Sequence, residues 1–332
     1  VAVSLAESKN NAQDDYNPAV IDEFRKESVV LDTLIFDDVV NPAGGGTTLT
    51  YGYRRLATQP SADTRAINNE YTPSNVTTEK HSVDLAVMGG SFEVDRVTAQ
   101  IGPAASANVA LNLSQKIKAT RTKFQDLVIN GDTDADANGF DGLDVALTNS
   151  DTEFNADDSI DADWVDLDTG TNAHKALDQL DEFLSLLDGT PTIVLGNTKA
   201  LAKLRAIVRR TSMYTREPIE GLVGQNGRPI TRESYGGIIL ADPGNKAGTN
   251  NPIIPIAVDG TTSLYAYRVG MDGFHGVSTV GGTLVQTWLP DFSTAGAVKK
   301  GEVELGPVAV ALKATKAAAV FRNVLVSEPV GS

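Results

Sequence analysis

Asn130-Gly131 closes what the sequence marks as one uninterrupted helix, and Gly139-Phe140-Asp141-Gly142-Leu143 resumes the apolar chain after an acidic gap. Before that stop, Val109, Leu113, Ile117, Thr120, Phe124 and Leu127 or Val128 recur in steps of three and four, a single apolar stripe on a face otherwise rich in Lys, Gln and Arg. No proline interrupts the stripe. The spacing predicts a helix over about 104–130, roughly 40 Å long at ~1.5 Å per residue, where an average globular helix has only ~11 to 12 residues. A helix of that length acts as a structural beam. Lys116, Lys118, Arg121 and Lys123 gather in its second half, where cations suit the negative end of the helix dipole. Asn130-Gly131 supplies residues that tolerate a left-handed stop.

The 332 residues allow about two domains with ample core. No run of about 18 apolar residues is present, and the opening Val-Ala-Val-Ser-Leu-Ala-Glu lacks a basic flank and apolar centre. Neither export nor a membrane span is therefore expected. A start at Val1 fits removal of an initiator or a maturation cleavage. With no cysteine, disulfides, Cys-ligated zinc and thiol nucleophiles are excluded, which fits a reducing cytoplasm. His81, His174 and His275 are too scattered in sequence to suggest a His-rich metal site.

The net charge of −15 is concentrated: residues 131–190 hold 17 Asp or Glu against the single Lys175, leaving 26 acidic and 27 basic residues elsewhere. No basic stripe interleaved with aromatics exists, which argues against nucleic-acid reading, since phosphate neutralisation dominates such binding. Arg54-Arg55 and Arg209-Arg210 are the arginine doublets, read as solvated pairs or interface salt-bridge donors.

Asn17-Pro18 opens a short amphipathic helix carrying Val20, Ile21, Phe24, Leu31 and Leu34, on an otherwise polar arm. Asn41-Pro42-Ala43 and Gly44-Gly45-Gly46 break the chain. Thr47–Arg54 and Lys80–Val87 alternate with period two, so they predict a long hairpin whose polar stretch, 56–79, cannot be buried in its own subunit. Met88-Gly89-Gly90 reads as another break, and the alternating run 91–97 leads into the long helix. After an acidic loop over 131–168 the pattern becomes α/β: helices marked by Leu177–Leu187 and Leu201–Val208, and strands at 192–195, 235–241, 253–258 and 263–269. The remainder, 283–289 and 301–326, is strand-rich and is expected to return against the long helix.

In this order the segments resemble the HK97-type major capsid proteins of tailed double-stranded DNA viruses. Leu5-Ala6-Glu7-Ser8-Lys9, Ile21-Asp22-Glu23-Phe24 and Ser28-Val29-Val30-Leu31 look like the family's N-terminal arm. The strands around Ile67-Asn68-Asn69-Glu70-Tyr71 look like its E-loop, and the helix ending Ile129-Asn130-Gly131 looks like its spine. Thr192–Arg210 and Tyr235–Asp242 resemble the axial A-domain, and 262–268 with 317–324 the return to the peripheral P-domain. The resemblance implies an α+β fold with an N-terminal arm (1–46), an E-loop hairpin (47–90), a discontinuous P-domain (91–131 and 283–332) and an A-domain (132–282). It also implies a non-enzymatic shell subunit forming hexamers and pentamers around double-stranded DNA, located in the virion capsid and assembled in the host cytoplasm. Its expected partners are copies of itself, with scaffold, portal and decoration proteins possible; DNA is contained rather than read, and no membrane is involved. The alternatives are an encapsulin-type nanocompartment shell and a calcium-dependent surface adhesin.

Sites of chemistry are few. Asp134, Asp136 and Asn138, followed by Gly139, match the first half of an EF-hand calcium loop, but Val145 stands where the bidentate Glu belongs. A solvated acidic turn is the default. Some members of the family weld subunits through an E-loop lysine; here 56–79 hold no lysine, Lys80 sits on the returning strand, and no covalent cross-link is expected. No Gly-x-Ser-x-Gly elbow, His-Glu-x-x-His or Walker loop occurs, Asp157-Asp158 has no acid/base partner, and Trp164 and Trp288 read as core or interface anchors. No catalytic residue, metal or cofactor is assigned.

Overall fold

The computed structural model describes residues 29–40, 48–97, 103–155, 157–167, 170–210, 215–223, 229–279 and 284–329. The arm up to residue 28 and the break at 41–47 lie outside the described residues. The helices are α1 (Val29–Thr33), α2 (Pro103–Asn130), α3 (Leu143–Leu147), α4 (Gly170–Ser185) and α5 (Thr198–Arg210). The strands are β1 (Phe36–Asp37), β2 (Thr50–Thr58), β3 (Thr77–Asp84), β4 (Ala86–Asp95), β5 (Glu153–Phe154), β6 (Ile193–Leu195) and β7 (Thr215–Val223). They continue as β8 (Pro229–Tyr235), β9 (Ile238–Ala241), β10 (Thr261–Tyr267), β11 (Phe274–Ser278), β12 (Val285–Trp288), β13 (Val298–Leu312) and β14 (Ala318–Leu325).

Helix α2 has the expected extent, and its stripe is progressively buried. Val109, Leu113 and Ile117 are half-buried, whereas Thr120, Phe124, Leu127, Val128 and Ile129 are buried. Burying a side chain such as Phe124 stabilises by about 2–3 kcal/mol. The main-chain N–H of Val30 in α1 donates to Gln125 Oε1 at 3.2 Å, fixing the short helix on the long one. The last turn of α2 carries no basic residue, so the lysines and Arg121 sit too far upstream to answer the dipole, which fades beyond the final turn.

Helix α2 packs on a five-stranded sheet built around β13. One edge of β13 pairs antiparallel with β4 over most of its length; its other edge pairs first with β12 and then with β11, to which β1 adds in parallel. Gly89 and Gly90 are part of β4 rather than a break. A Cβ at Gly89 would lie 2.3 Å from Val303 O, so glycine is required there by the close approach of β13.

The second sheet has seven strands in the order β5-β14-β10-β6-β9-β8-β7. Both faces of its centre are buried, and the period of two decides which residue goes where. Val194, Leu264, Ala266, Ala319 and Phe321 face one way, into a core shared with Leu177, Leu180 and Phe183 of α4 and Leu204 and Ile207 of α5. Ile193, Leu195, Tyr265, Tyr267, Ala318 and Val320 face the other, into the larger core that holds Phe124 and Ile129 of α2. Asn197 caps α5, its Oδ1 accepting from Lys199 N at 3.0 Å, and Arg209 and Arg210 occupy the last turn, where positive charge is favoured.

Several sequence expectations change here. The apolar run 235–241 is a hairpin, because Gly236 (φ 57°) and Gly237 (φ 84°) supply a two-residue turn between β8 and β9. Residues 253–258 form no strand; Ile253 and Ile254 are instead buried as plugs in the larger core. Strand β11 was not anticipated. Of the last strands, β13 does lie along α2, whereas β14 pairs with β10 and β5 in the seven-stranded sheet, since its alternate residues are apolar on both faces. None of the described helices is long and apolar enough to cross a membrane.

Candidate assembly surface

The junction that ends α2 is closed by backbone contacts. Neither Asn130 nor Gly131 adopts a positive φ, so the expected left-handed stop is absent. Instead Gly131 N donates to Leu127 O at 2.9 Å, and Gly142 N donates to Gly131 O at 2.8 Å. The chain thus leaves the helix, runs through 132–141 and returns to its own exit. Asn130 Nδ2 donates to Asp126 Oδ1 and to Ile253 O, both at 2.8 Å, and Lys246 Nζ stands 3.5 Å from Asp126 Oδ1. These bonds tie the helix end to the loop that precedes β10.

Within the loop the carboxylates cap their own turns. Asp132 Oδ1 accepts from Asp134 N at 2.9 Å, Asp136 Oδ1 accepts from Asn138 N at 3.1 Å, and Asp141 Oδ1 accepts from both the N–H and the hydroxyl of Thr133. Asp134, Asp136 and Asn138 are exposed, and no group of three or more acidic or histidine side chains among the described residues could hold a metal ion. Asp157 likewise closes a turn with Ser159, whose hydrogen bonds hold its carboxyl below the usual range.

Further along, acidic residues that the sequence offers only as a solvated run form a partly buried knot. Arg322 of β14 donates through Nη1 to Asp144 Oδ1 at 2.7 Å and through Nε to Glu153 Oε1, while Tyr265 OH donates to Asp144 Oδ1 at 2.8 Å. Burial first, then the Asp144 charge, pushes the Tyr265 phenol well up. The knot joins α3, β5, β10 and β14.

Strands β2 and β3 form the expected hairpin, a two-stranded ladder in which Arg54 pairs with Lys80 and Tyr53 with His81. From Leu56 to Lys80 every residue is exposed, with Ile67 89% exposed at the tip. A pair of strands with no third layer is marginal in water by itself. Its root supplies the missing support. Tyr51 OH donates to Asp37 Oδ2 at 2.9 Å, and Tyr53 OH donates to Leu312 O at 2.9 Å. Arg55 Nε donates to Lys313 O at 3.0 Å with its guanidinium 5.6 Å from the Tyr53 ring, so one member of the Arg54-Arg55 doublet is an anchor and the other is solvated. Burial and the Asp37 hydrogen bond raise the Tyr51 phenol above its ordinary value. On one flank of the root a cavity of about 480 Å³, walled by Tyr53, His81, Asp84, Phe140, Asp141 and Leu312, separates the hairpin from the acidic loop. Sequence pattern alone missed Asp37, Tyr51, Tyr53 and Arg322 as anchors; Tyr51 and Tyr53 on one face of a predicted strand were the available signal.

Trp164 is fully buried and meets Phe321 edge-on at 6.1 Å, a core anchor, whereas Trp288 is 47% exposed at the end of β12 beside exposed Leu289.

No family model matches the sequence, and no curated protein sequence matches it. Solved structures match nearly end to end. The holo-SrpI encapsulin of Synechococcus elongatus PCC 7942 is 14% identical, with a TM-score of 0.63 over 100% of this chain and 99% of that one. The capsid of Myoviridae phage XM1 is 11% identical, with a TM-score of 0.58 over 97% and 99%. The capsid of a native GTA particle is 10% identical, with a TM-score of 0.60 over 97% and 99%. The chain therefore has the HK97-type capsid fold.

Proposed function

We propose that this chain is the repeating subunit of a closed shell, specifically a major capsid protein that tiles hexamers and pentamers into an icosahedral virion enclosing double-stranded DNA. The observation that carries this reading is the hairpin: an exposed arm, firmly anchored at its root, with no layer among the described residues to cover it. Neighbouring copies in a closed symmetric assembly supply such cover. In this reading residues 1–46 are the arm, 47–90 the E-loop, 91–131 with 283–332 the peripheral domain and 132–282 the axial domain. Scaffold, portal and decoration proteins are the further partners, assembly takes place in the host cytoplasm, and the subunit performs no catalysis.

The encapsulin reading remains the second one, because an encapsulin shell shares the fold over the full length of both chains. Electron microscopy of the purified protein with assay of its contents separates the two. Shells that hold nuclease-protected DNA support a capsid; shells with protein cargo and no nucleic acid support a nanocompartment; a monodisperse monomer overturns both. The surface-adhesin alternative has no counterpart among these structural relatives. Denaturing electrophoresis of assembled shells tests the absence of covalent cross-links, a ladder of multimers being the contrary result.

A further inference from the structure

His275 is a polar group that the fold leaves without a partner. Its side chain is fully buried, and neither ring nitrogen makes a hydrogen bond. An unsatisfied buried polar group is costly to stability, so its presence needs a physical reason. The ring sits where three pieces of chain meet beneath the hairpin: β11 itself, β1 beside it and β2 across from it. Nε2 stands 3.9 Å from Asp37 Oδ2, too far for a hydrogen bond, and that same oxygen accepts from Tyr51 OH at 2.9 Å. The Tyr51 ring meets the imidazole edge-on at 5.8 Å.

The charged and titratable groups that face the ring are Asp37 from β1, Tyr51 from β2, Lys313 just past β13 and Asp272 in the turn before β11. Lys313 Nζ lies 5.4 Å from the centre of the Tyr51 ring, and Asp272 is held by Arg268 at 3.2 Å. Burial, and then the Lys313 charge, hold the imidazole below its usual pKa against the opposing pull of Asp37, the Gly273 main chain and Asp272. At neutral pH the slot therefore contains an uncharged ring, and Asp37 is left to Tyr51.

We propose that His275 is an acid-operated latch on the hairpin: uptake of a proton by its ring draws Asp37 away from Tyr51 and releases the root of β2 and β3 from β1. An imidazolium carries two N–H donors and both require acceptors. The Asp37 carboxylate is the anionic acceptor nearest Nε2, and it is the group that holds Tyr51. The second N–H is left to water or to the Gly273 carbonyl, which already accepts from Lys313 N at 2.9 Å, and Lys313 repels the new charge on the side of Tyr51. The latch does not depend on the shell role, because each step involves groups of one chain.

Hydrogen–deuterium exchange on the full chain at about pH 7 and about pH 5, corrected for the intrinsic pH dependence of exchange, tests the latch. Peptides covering 50–58 and 77–84 are expected to lose protection by about tenfold or more on acidification, while β13 remains protected. In His275→Phe, which keeps a neutral aromatic ring at every pH, the same peptides are expected to stay protected. Should that variant not fold, Asp37→Asn removes the acceptor charge, and the loss of protection is expected to move to lower pH. Protection that does not change with pH in the wild type, or that falls equally in His275→Phe, or at an unshifted pH in Asp37→Asn, overturns the proposal.

Discussion

Gly131 and Gly142, eleven positions apart in sequence, lie backbone to backbone, with Gly142 N donating to Gly131 O at 2.8 Å. A Cβ at Gly131 would stand 2.2 Å from Phe140 O, and one at Gly142 would stand 2.6 Å from Leu127 O. Neither contact is relieved by rotating a side chain, because the opposing atoms are main chain. Gly131→Ala and Gly142→Ala are each expected to destabilise by about 3 kcal/mol or more. Gly52→Ala, whose Cβ would meet only ordinary contacts, is the control and is expected to change little. Urea denaturation of the three variants checks this; a Gly142→Ala protein as stable as the control would contradict the close-approach reading.

The Arg322 knot should behave as a unit. Arg322→Met leaves Glu153, whose side chain is 8% exposed, without its cation, and the expected loss is about 3 kcal/mol. Arg322→Lys should not rescue it, since one ammonium cannot reproduce a fork that bonds Glu153 through Nε and Asp144 through Nη1. Thermal and denaturant unfolding of both variants decide the matter. Near-wild-type stability in the lysine variant would mean that charge alone is sufficient there.

Alkaline titration reads the buried phenols. Burial, reinforced by carboxylate neighbours for Tyr51 and Tyr265, raises Tyr51, Tyr265 and Tyr267, and Tyr235 is pushed up to about 12 beside Asp181. Their folded values lie above the unfolded value of 10.0, so the unfolded chain releases protons first. Stability from these groups is complete below about pH 10 and declines as the pH rises from there through the raised values. Ultraviolet difference spectra are expected to show the buried Tyr51, Tyr265 and Tyr267 ionising only in a step that coincides with unfolding. Reversible ionisation of these phenols near pH 10 in a folded chain would refute this.

How much of this was legible beforehand follows from the range of the interactions. The stripe from Val109 to Val128 and the alternation at 47–54 and 80–87 are local periodicities, and both α2 and the hairpin follow from them. Glycine was harder to read. Gly89 and Gly90 lie within a strand because β13 approaches closely, and Gly236-Gly237 turns a run that looks like a single strand. Strand β11 is Phe-His-Gly-Val-Ser, too short and too mixed to announce itself, and Gly276 is there so that Phe36 can pack 2.5 Å from where its Cβ would be. The anchors were beyond any local pattern: Asp144 and Arg322 are separated by 178 residues, and Tyr53 and Leu312 by 259. The acidic count over 131–190 could not distinguish Asp144 from the exposed carboxylates around it.

The hairpin tip offers the most direct test of the assembly reading. Asn68 takes a positive φ of 73°, Asn69 N donates to Ala66 O at 3.1 Å, and Arg65 lies 5.3 Å from the Tyr71 ring while donating to Asn69 O at 3.2 Å. The turn is therefore organised locally, and it leaves Ile67 and, apart from the Arg65 guanidinium, Tyr71 exposed among the described residues. Ile67→Ser and Tyr71→Ser remove apolar surface that contributes no core, so the melting of the isolated subunit should move by less than about 0.5 kcal/mol in stability. If a neighbouring copy covers the tip, each change removes roughly 1–2 kcal/mol per contact, repeated at every copy in a shell. Light scattering and electron microscopy are then expected to show fewer or no closed particles at concentrations where the wild type assembles. Unimpaired assembly in both variants would place the tip outside any subunit contact.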